Sequence, residues 1–271
     1  MSVVLRPLCV IAIFIWGSSA FVQLHSSRVK LGNSRPFFST KMQGSCVEAI
    51  LYDVDGTLSD SFMLGFKATD EVLKAEGYPS ISEETYHGGT IYTTPRRFAW
   101  HATGNPDDNS GIGEKLGGLF DDYYVNLVSL DTAPLYVGID QMLRSFATQV
   151  KQGALSNACG AYVRAVCKVN EVRDLFGVMK GADEVPEAKP GGGGLLMCSE
   201  ILDVEPSNCI YVGDSPTDGH AATAAGYYCS IGVTWGSHPP ERVRPAFTHT
   251  VSSVDELREL LRALLAGDNL V

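Results

Sequence analysis

From residue 47 onward, short continuous apolar runs alternate with longer stretches whose apolar positions recur every three or four residues. The run at 47–54 is continuous, as in a strand buried on both faces, and it empties into the turn pair Asp55-Gly56. Residues 61–76 follow helical spacing and close at Gly77. Residues 80–133 change character, being polar and aromatic-rich with no convincing strand. Within them Thr94-Pro95 reads as an N-cap with proline at the first helical position, and 116–130 is apolar at helical spacing. After Pro134 the alternation returns. Helices are predicted at 138–148, 161–170, 194–202, 219–225 and 254–265, and strands at 150–155, 177–180, 209–212, 228–233 and 248–251. Strands separated by helices of this length imply βαβ units and a parallel sheet, interrupted after its first strand by a helical insertion. Ligands of such sheets bind beyond the carboxyl ends of the strands, so chemistry is expected just after residues 54, 155, 180 and 212.

Composition narrows the class. The 271 residues are 45% hydrophobic with a formal net charge of −10, enough for one large domain or a core plus a smaller one. The chain is too apolar to be disordered, and no run reaches the ~18 residues of a membrane span. So acidic a balance argues against nucleic acid as a partner, because phosphate neutralisation needs a basic surface. The charge is unevenly spread: residues 1–47 hold five basic side chains and no acid, and the acids begin at Glu48. Arg6 precedes an apolar run at 8–16, long enough for a signal h-region, and Ser18, Ser19 and Ala20 supply the small residues of a cleavage site. Residues 21–43 are Ser-rich, basic and acid-free, which is transit-peptide composition. The Ser19-Ala20-Phe21 junction resembles the bipartite leaders of algae with secondary plastids. A signal peptide at 1–20, a transit peptide at 21–43 and delivery to the plastid stroma are therefore expected, with no stable membrane association after leader removal. The ordinary secretory pathway is the alternative. The six cysteines beyond the leader show no C-x-x-C spacing and no N-x-S/T sequon occurs, which favours a reducing compartment.

Acids gather at the predicted strand ends. Asp53 and Asp55, at i and i+2, share one face, and two such charges need a cation or a proton between them. A calcium loop is excluded, because its glycine belongs at the sixth position and Gly56 is the fourth from Asp53. Ser156-Asn157 follows the next interior strand and offers a hydroxyl and an amide suited to phosphate oxygens. Lys189 precedes Pro190 and four glycines; beside a buried acid pair it would supply the missing cation. The glycine run lacks the Lys-Ser/Thr of a P-loop and reads as a flexible helix entry. Gly213-Asp214-Ser215-Pro216-Thr217-Asp218 adds two more acids, an oxygen donor set suited to a hard cation such as magnesium.

These four segments, DVDGT, LSN, KP and GDSPTD, match in order and spacing the four motifs of the haloacid dehalogenase superfamily. The chain resembles its phosphatase branch, and the phosphoglycolate phosphatase-like members in particular through 211–226 and 232–236, over roughly residues 47–265. The resemblance implies an α/β fold: a Rossmann-like three-layer core with a parallel sheet, built from 44–60 and 134–271, and a helical cap at 61–133 inserted after the first strand. It implies an Mg2+-dependent phosphatase for a small phosphorylated metabolite, with 2-phosphoglycolate as the single best candidate. Asp53 would attack phosphorus, and Asp55 would protonate the leaving alcohol and then activate water. Ser156 and the Asn157 backbone would hold phosphate oxygens, with Gly56 and Thr57 beside them, and Lys189 would neutralise nucleophile and phosphoryl group. Asp53, the Asp55 carbonyl and Asp214 would hold the metal, with Asp218 bound directly or in support. In the cap, Arg96 and Arg97 beside a helix start are candidates for a substrate carboxylate. Glycines replace the Pro-Asp that often follows the lysine motif, which is expected to loosen the lid over Lys189. A β-phosphoglucomutase-like phosphomutase shares the core motifs, and a catalytically silent binding or regulatory protein is the alternative outside enzymes. Oligomeric state is not encoded in any of these features.

Overall fold

The run at 47–54 becomes the centre of the molecule. In the computed structural model, which describes residues 47–267, β1 (Ala49–Tyr52) is wholly buried. The expected leader segments at 1–20 and 21–43 lie outside the described residues. Flanking β1 are β2 (Lys151–Leu155) and β4 (Cys209–Gly213); β3 (Val178–Lys180) lies beyond β2, and β5 (Cys229–Val233) and β6 (His249–Val251) lie beyond β4. The strand order is β3-β2-β1-β4-β5-β6 and every pairing is parallel. The connections run outward in opposite directions on either side of β1, so the topological switch falls between β1 and β4, where a parallel sheet opens its crevice.

Side chains on the strands alternate between two layers, as a pleated strand requires. Ile50 and Tyr52 of β1 and Ile210 and Val212 of β4 pack with apolar residues of α5 (Ile139–Phe146), α6 (Gly160–Val169) and α10 (Val254–Ala266). Ala49, Leu51, Cys209 and Tyr211 face the opposite layer, formed by α7 (Gly193–Ile201) and α8 (Pro216–Ala224). The short α9 (Pro240–Val243) precedes β6. Burying an apolar side chain on either face contributes about 1.5–3 kcal/mol, so this double coverage explains why β1 carries no polar residue before Asp53.

Four further helices lie between β1 and β2: α1 (Phe62–Ala75), α2 (Glu83–Gly89), α3 (Thr94–Thr103) and α4 (Ile112–Asn126). The chain leaves the sheet and returns to it side by side. The Asp60 amide donates to the Pro134 carbonyl at 2.9 Å and the Tyr136 amide to the Leu58 carbonyl at 3.0 Å. Three predicted elements shift most, the first being the helical run expected at 116–130, which is α4 at Ile112–Asn126. Pro95 occupies the second position of α3, whose N-cap is Thr93. Helix α8 starts three residues before the predicted 219, because Ser215 caps it, Pro216 opens it and Asp218 completes a capping box. Among the described residues no helix is long and apolar enough to cross a membrane.

Candidate active site

Three loops converge at the carboxyl ends of β1, β2 and β4. The Asp53 amide still pairs with the Val212 carbonyl at 2.8 Å, so its carboxylate is held at the rim of the sheet. The chain then reverses through Gly56, whose φ of 73° is a conformation side chains disfavour. A Cβ at Gly56 would also strike the Asp214 carboxylate, as would one at Gly236. Two glycines thus form a cradle around that acid.

Lys189 is the hub. Its Nζ, fully buried, donates to Asp53 Oδ1 and Asp218 Oδ1 at 2.6 Å each, to the Tyr211 hydroxyl at 3.1 Å, and to the Leu155 carbonyl at 3.3 Å. Burial alone would lower the Lys189 ammonium, but Asp218 and Asp53 override it and hold it well above its ordinary value. Burial pushes the Asp53 carboxyl up; Lys189 pulls it back, and Asp218, Asp214 and Asp55 push it up again. Asp218 is raised for the same reasons, burial first, then the Lys189 and Asp214 charges in opposition. Negative charge is in excess here. Asp53, Asp214 and Asp218 are all buried and offer oxygens within 4.8 Å of one another, and one lysine against three carboxylates leaves two charges uncompensated. A hard divalent cation with oxygen ligands fits that set.

The partners separate the roles of the three acids. Asp218 spends one oxygen on Lys189 and the other on the Ser215 amide at 2.9 Å, so it supports the site rather than offering a free ligand. Asp214 accepts the Ser237 amide at 2.7 Å on Oδ2. Asp53 Oδ2 accepts only the distant Thr57 hydroxyl at 3.4 Å.

The other residues expected at the site divide. Ser156 lines the cleft, and its hydroxyl donates to Asp55 Oδ2 at 3.1 Å. The Asn157 side chain does not point at a substrate. Its amide donates to the Lys189 carbonyl at 2.9 Å and its oxygen accepts the Lys189 amide at 3.1 Å, clipping the lysine loop in place. Gly56 lines the cleft, whereas Thr57 is buried beneath it against Asp53. The glycine run is not a loose entry. A Cβ at Gly192 would lie 2.7 Å from the Ala225 nitrogen, and one at Gly194 would lie 3.0 Å from Leu155. Glu187 binds the Gly193 amide at 3.0 Å through its carboxylate and the Gly194 amide at 3.0 Å through its carbonyl. The glycines permit close packing against Glu187, Ala224, Ala225 and Leu155.

The helical insertion forms the opposite wall, with Phe62, Tyr86, Tyr92, Phe120 and Tyr124 facing the acids. Arg97 is among them. Its guanidinium lies over the Phe120 and Tyr86 rings at 4.7 and 5.5 Å. Its Nε and Nη2 are buried with no hydrogen-bond partner among the described residues. Arg96 does not reach the site: it pairs with Asp107 at 2.7 Å on the exposed side of α3. Adjacent helical residues diverge by about 100°, so only one of the two can face inward. Several residues here had escaped sequence reasoning. Tyr211 steadies Lys189; Ser61, Tyr124 and Tyr162 reach Asp55. His238 lines the cleft beside Asp214, and His87 donates from α2 to the Ser237 carbonyl at 2.6 Å. The pair Asp60-Ser61 just past the first motif was a usable signal; the tyrosines carried none.

The site is thus a buried lysine among three buried carboxylates at the switch point of a parallel α/β sheet. A profile of the haloacid dehalogenase-like hydrolases matches residues 50–231, and the chain belongs to that family. Over 229 residues it is 29% identical to a phosphoglycolate phosphatase of Pseudomonas putida, covering 83% of this chain and 82% of the relative. A phosphoglycolate phosphatase of Shigella boydii is 31% identical over 216 residues, covering 73% and 85%. Among solved structures, CbbY from Rhodobacter sphaeroides in complex with phosphate superposes with a TM-score of 0.66 at 24% identity, covering 78% of this chain and 96% of that one. A haloacid dehalogenase-like hydrolase from Streptococcus pneumoniae gives 0.68 at 20% identity, covering 80% and 99%. These structures share the six-stranded α/β fold, and the curated relatives mark the chain as a phosphatase of this family.

Proposed function

We propose that this phosphatase is magnesium-dependent and hydrolyses a small phosphorylated acid, 2-phosphoglycolate first among candidates, through an aspartyl phosphate on Asp53. Bound magnesium would be held by Asp53, the Asp55 carbonyl and Asp214, and would screen charge on the phosphoryl oxygens. The rest falls to side chains of this chain. Lys189 draws the Asp53 carboxylate into line and offsets charge on the incoming phosphate. Ser156 and the backbone amide of Asn157 would hold the phosphoryl oxygens. Asp55 gives a proton to the leaving alcohol and recovers one from water in the second half-reaction.

The observation that carries the choice of substrate is Arg97. A buried guanidinium with unmet donors is unfavourable unless an anion arrives to meet them, and ring faces compensate only in part. It shares one cleft with the acid cluster, so a molecule with phosphate at one end and carboxylate at the other satisfies both walls. The names of the curated relatives support the same substrate. Phosphate release across a panel of metabolites, with and without magnesium, is the test. Release that is fastest from 2-phosphoglycolate and lost with EDTA is expected; full activity in EDTA, or a preference for esters without a second anion, would refute the reading. For location, the acid-free leader supports import into a plastid. A fluorescent fusion of residues 1–43 should accumulate there, and its export from the cell would reject the idea.

A further inference from the structure

Asp55 is surrounded by hydroxyl groups in an uneven way. Its Oδ1 accepts from Ser61 at 2.5 Å, from Tyr162 at 2.6 Å and from Tyr124 at 3.3 Å. Its Oδ2 accepts from Ser156 alone, at 3.1 Å. A carboxylate oxygen has about two lone pairs, so Oδ1 is saturated. The donors come from both sides of the cleft. Tyr162 is on α6 against the sheet, Tyr124 is on α4 of the helical insertion, and their rings stack with centroids 4.2 Å apart. Tyr124 stacks in turn on Phe120 at 4.6 Å. Ser61 is the N-cap residue of α1, yet its hydroxyl makes no capping bond; it serves Asp55 instead. All four donors belong to buried residues.

We propose that Tyr124 and Tyr162, with Ser61, form a two-sided hydroxyl clamp that anchors Oδ1 of Asp55 and reserves Oδ2 as the proton-transferring oxygen. The proposal rests on the reading of Asp55 as the proton donor. Ser156 is the switch: when its hydroxyl turns to a phosphoryl oxygen, Oδ2 is left facing the leaving group. In the first half-reaction an Asp53 oxygen bonds to phosphorus and the bond from phosphorus to the bridging oxygen breaks. The proton on Oδ2 moves to that bridging oxygen, and the negative charge left on Asp55 is met by the clamp on Oδ1. In the second, water oxygen bonds to phosphorus, its proton passes to Oδ2, and the bond between phosphorus and Asp53 breaks to release inorganic phosphate. The hydroxyls of Tyr124 and Tyr162 both donate to Asp55 Oδ1 and act through that carboxylate, so they are positioning residues.

Leaving-group chemistry separates positioning from general damage. An alkyl phosphate needs the Asp55 proton, whereas p-nitrophenyl phosphate expels a stabilised phenolate and needs it little. Tyr124→Phe and Tyr162→Phe keep the stacked rings and remove only the hydroxyls. Each should lower kcat on the faster of 2-phosphoglycolate and ethyl phosphate about tenfold more than on p-nitrophenyl phosphate, with smaller effects on KM, within the ~100-fold or more that a general acid provides. Losses equal on alkyl and aryl esters, or no loss, would overturn the clamp. Asp55→Asn in the same assay tells the two failures apart. If it slows alkyl ester turnover while the tyrosine variants do not, the clamp alone falls; if it leaves alkyl ester turnover intact, the reading of Asp55 falls and the clamp with it.

Discussion

The two walls of the cleft are built on opposite principles. At the strand ends the charges are already assembled and held: Lys189 makes four polar contacts, and Asp218 has both oxygens engaged. On the helical wall Arg97 lies among rings with two donors unmet. The contrast assigns the work. A preassembled charge array suits a group common to all substrates, the phosphoryl group, because no reorganisation is needed at the moment of reaction. Unmet donors suit the part that differs between substrates, because only the right ligand relieves them.

Breaking the first wall should have the largest effect. Asp53→Asn replaces the nucleophile with an amide, and turnover should fall by roughly ten-thousand-fold or more on every phosphate ester. Steady-state phosphate release measures it, and retained activity would remove the covalent route. Asp214→Ala comes next. It leaves Asp53 as the cluster's one carboxylate with a lightly engaged oxygen, so the magnesium concentration for half-maximal activity should rise on the order of 100-fold. A magnesium titration that matches wild type would show that Asp214 holds no cation.

How far the sequence revealed this division depends on the wall. Short, doubly buried strands must end where polar residues begin, so Asp53, Ser156 and Asp214 could be placed from hydrophobic pattern alone. The helical wall obeys no such rule. Arg96 and Arg97 are equivalent as letters, and only the phase of α3 decides which one faces inward. Tyr124 and Tyr162 reach Asp55 across 69 and 107 residues, a juxtaposition no local pattern contains. Gly191–Gly194 misled for a related reason: glycine serves both loose turns and close packing, and the neighbours that distinguish them, Ala224, Ala225 and Glu187, are brought there by the fold.

Smaller effects sharpen the second wall. Arg97→Ala should lower kcat/KM on 2-phosphoglycolate about 10- to 100-fold, the worth of a charged hydrogen bond, and far less on p-nitrophenyl phosphate. Arg96→Ala, which removes only an exposed ion pair, should change neither by more than about twofold. Parallel losses in both variants would take Arg97 out of substrate choice. The smallest change concerns Asp121 on α4, beside Arg97, Cys159 and Asp183. Burial pushes its carboxyl up to about 6 despite the pull of Arg97. The folded chain therefore binds more protons than the unfolded one between about pH 4 and 6, and stability falls as pH rises through that window. Asp121→Asn should flatten this slope and stabilise the protein at pH 7.5 by on the order of 1 kcal/mol, discounted for partial exposure. Thermal melts across the pH range check it, and an unchanged slope would show that Asp121 is not held in this way.

The division between the walls is tested most directly by two substrates that differ only at the far end. Ethyl phosphate presents the phosphoryl group of 2-phosphoglycolate without its carboxylate. In the wild-type protein kcat/KM should be at least about tenfold higher for 2-phosphoglycolate, the lower bound for a charged hydrogen bond to Arg97, and Arg97→Ala should bring the two together. Equal values in the wild type, or a preference that survives Arg97→Ala, would contradict the assignment of the helical wall to substrate choice.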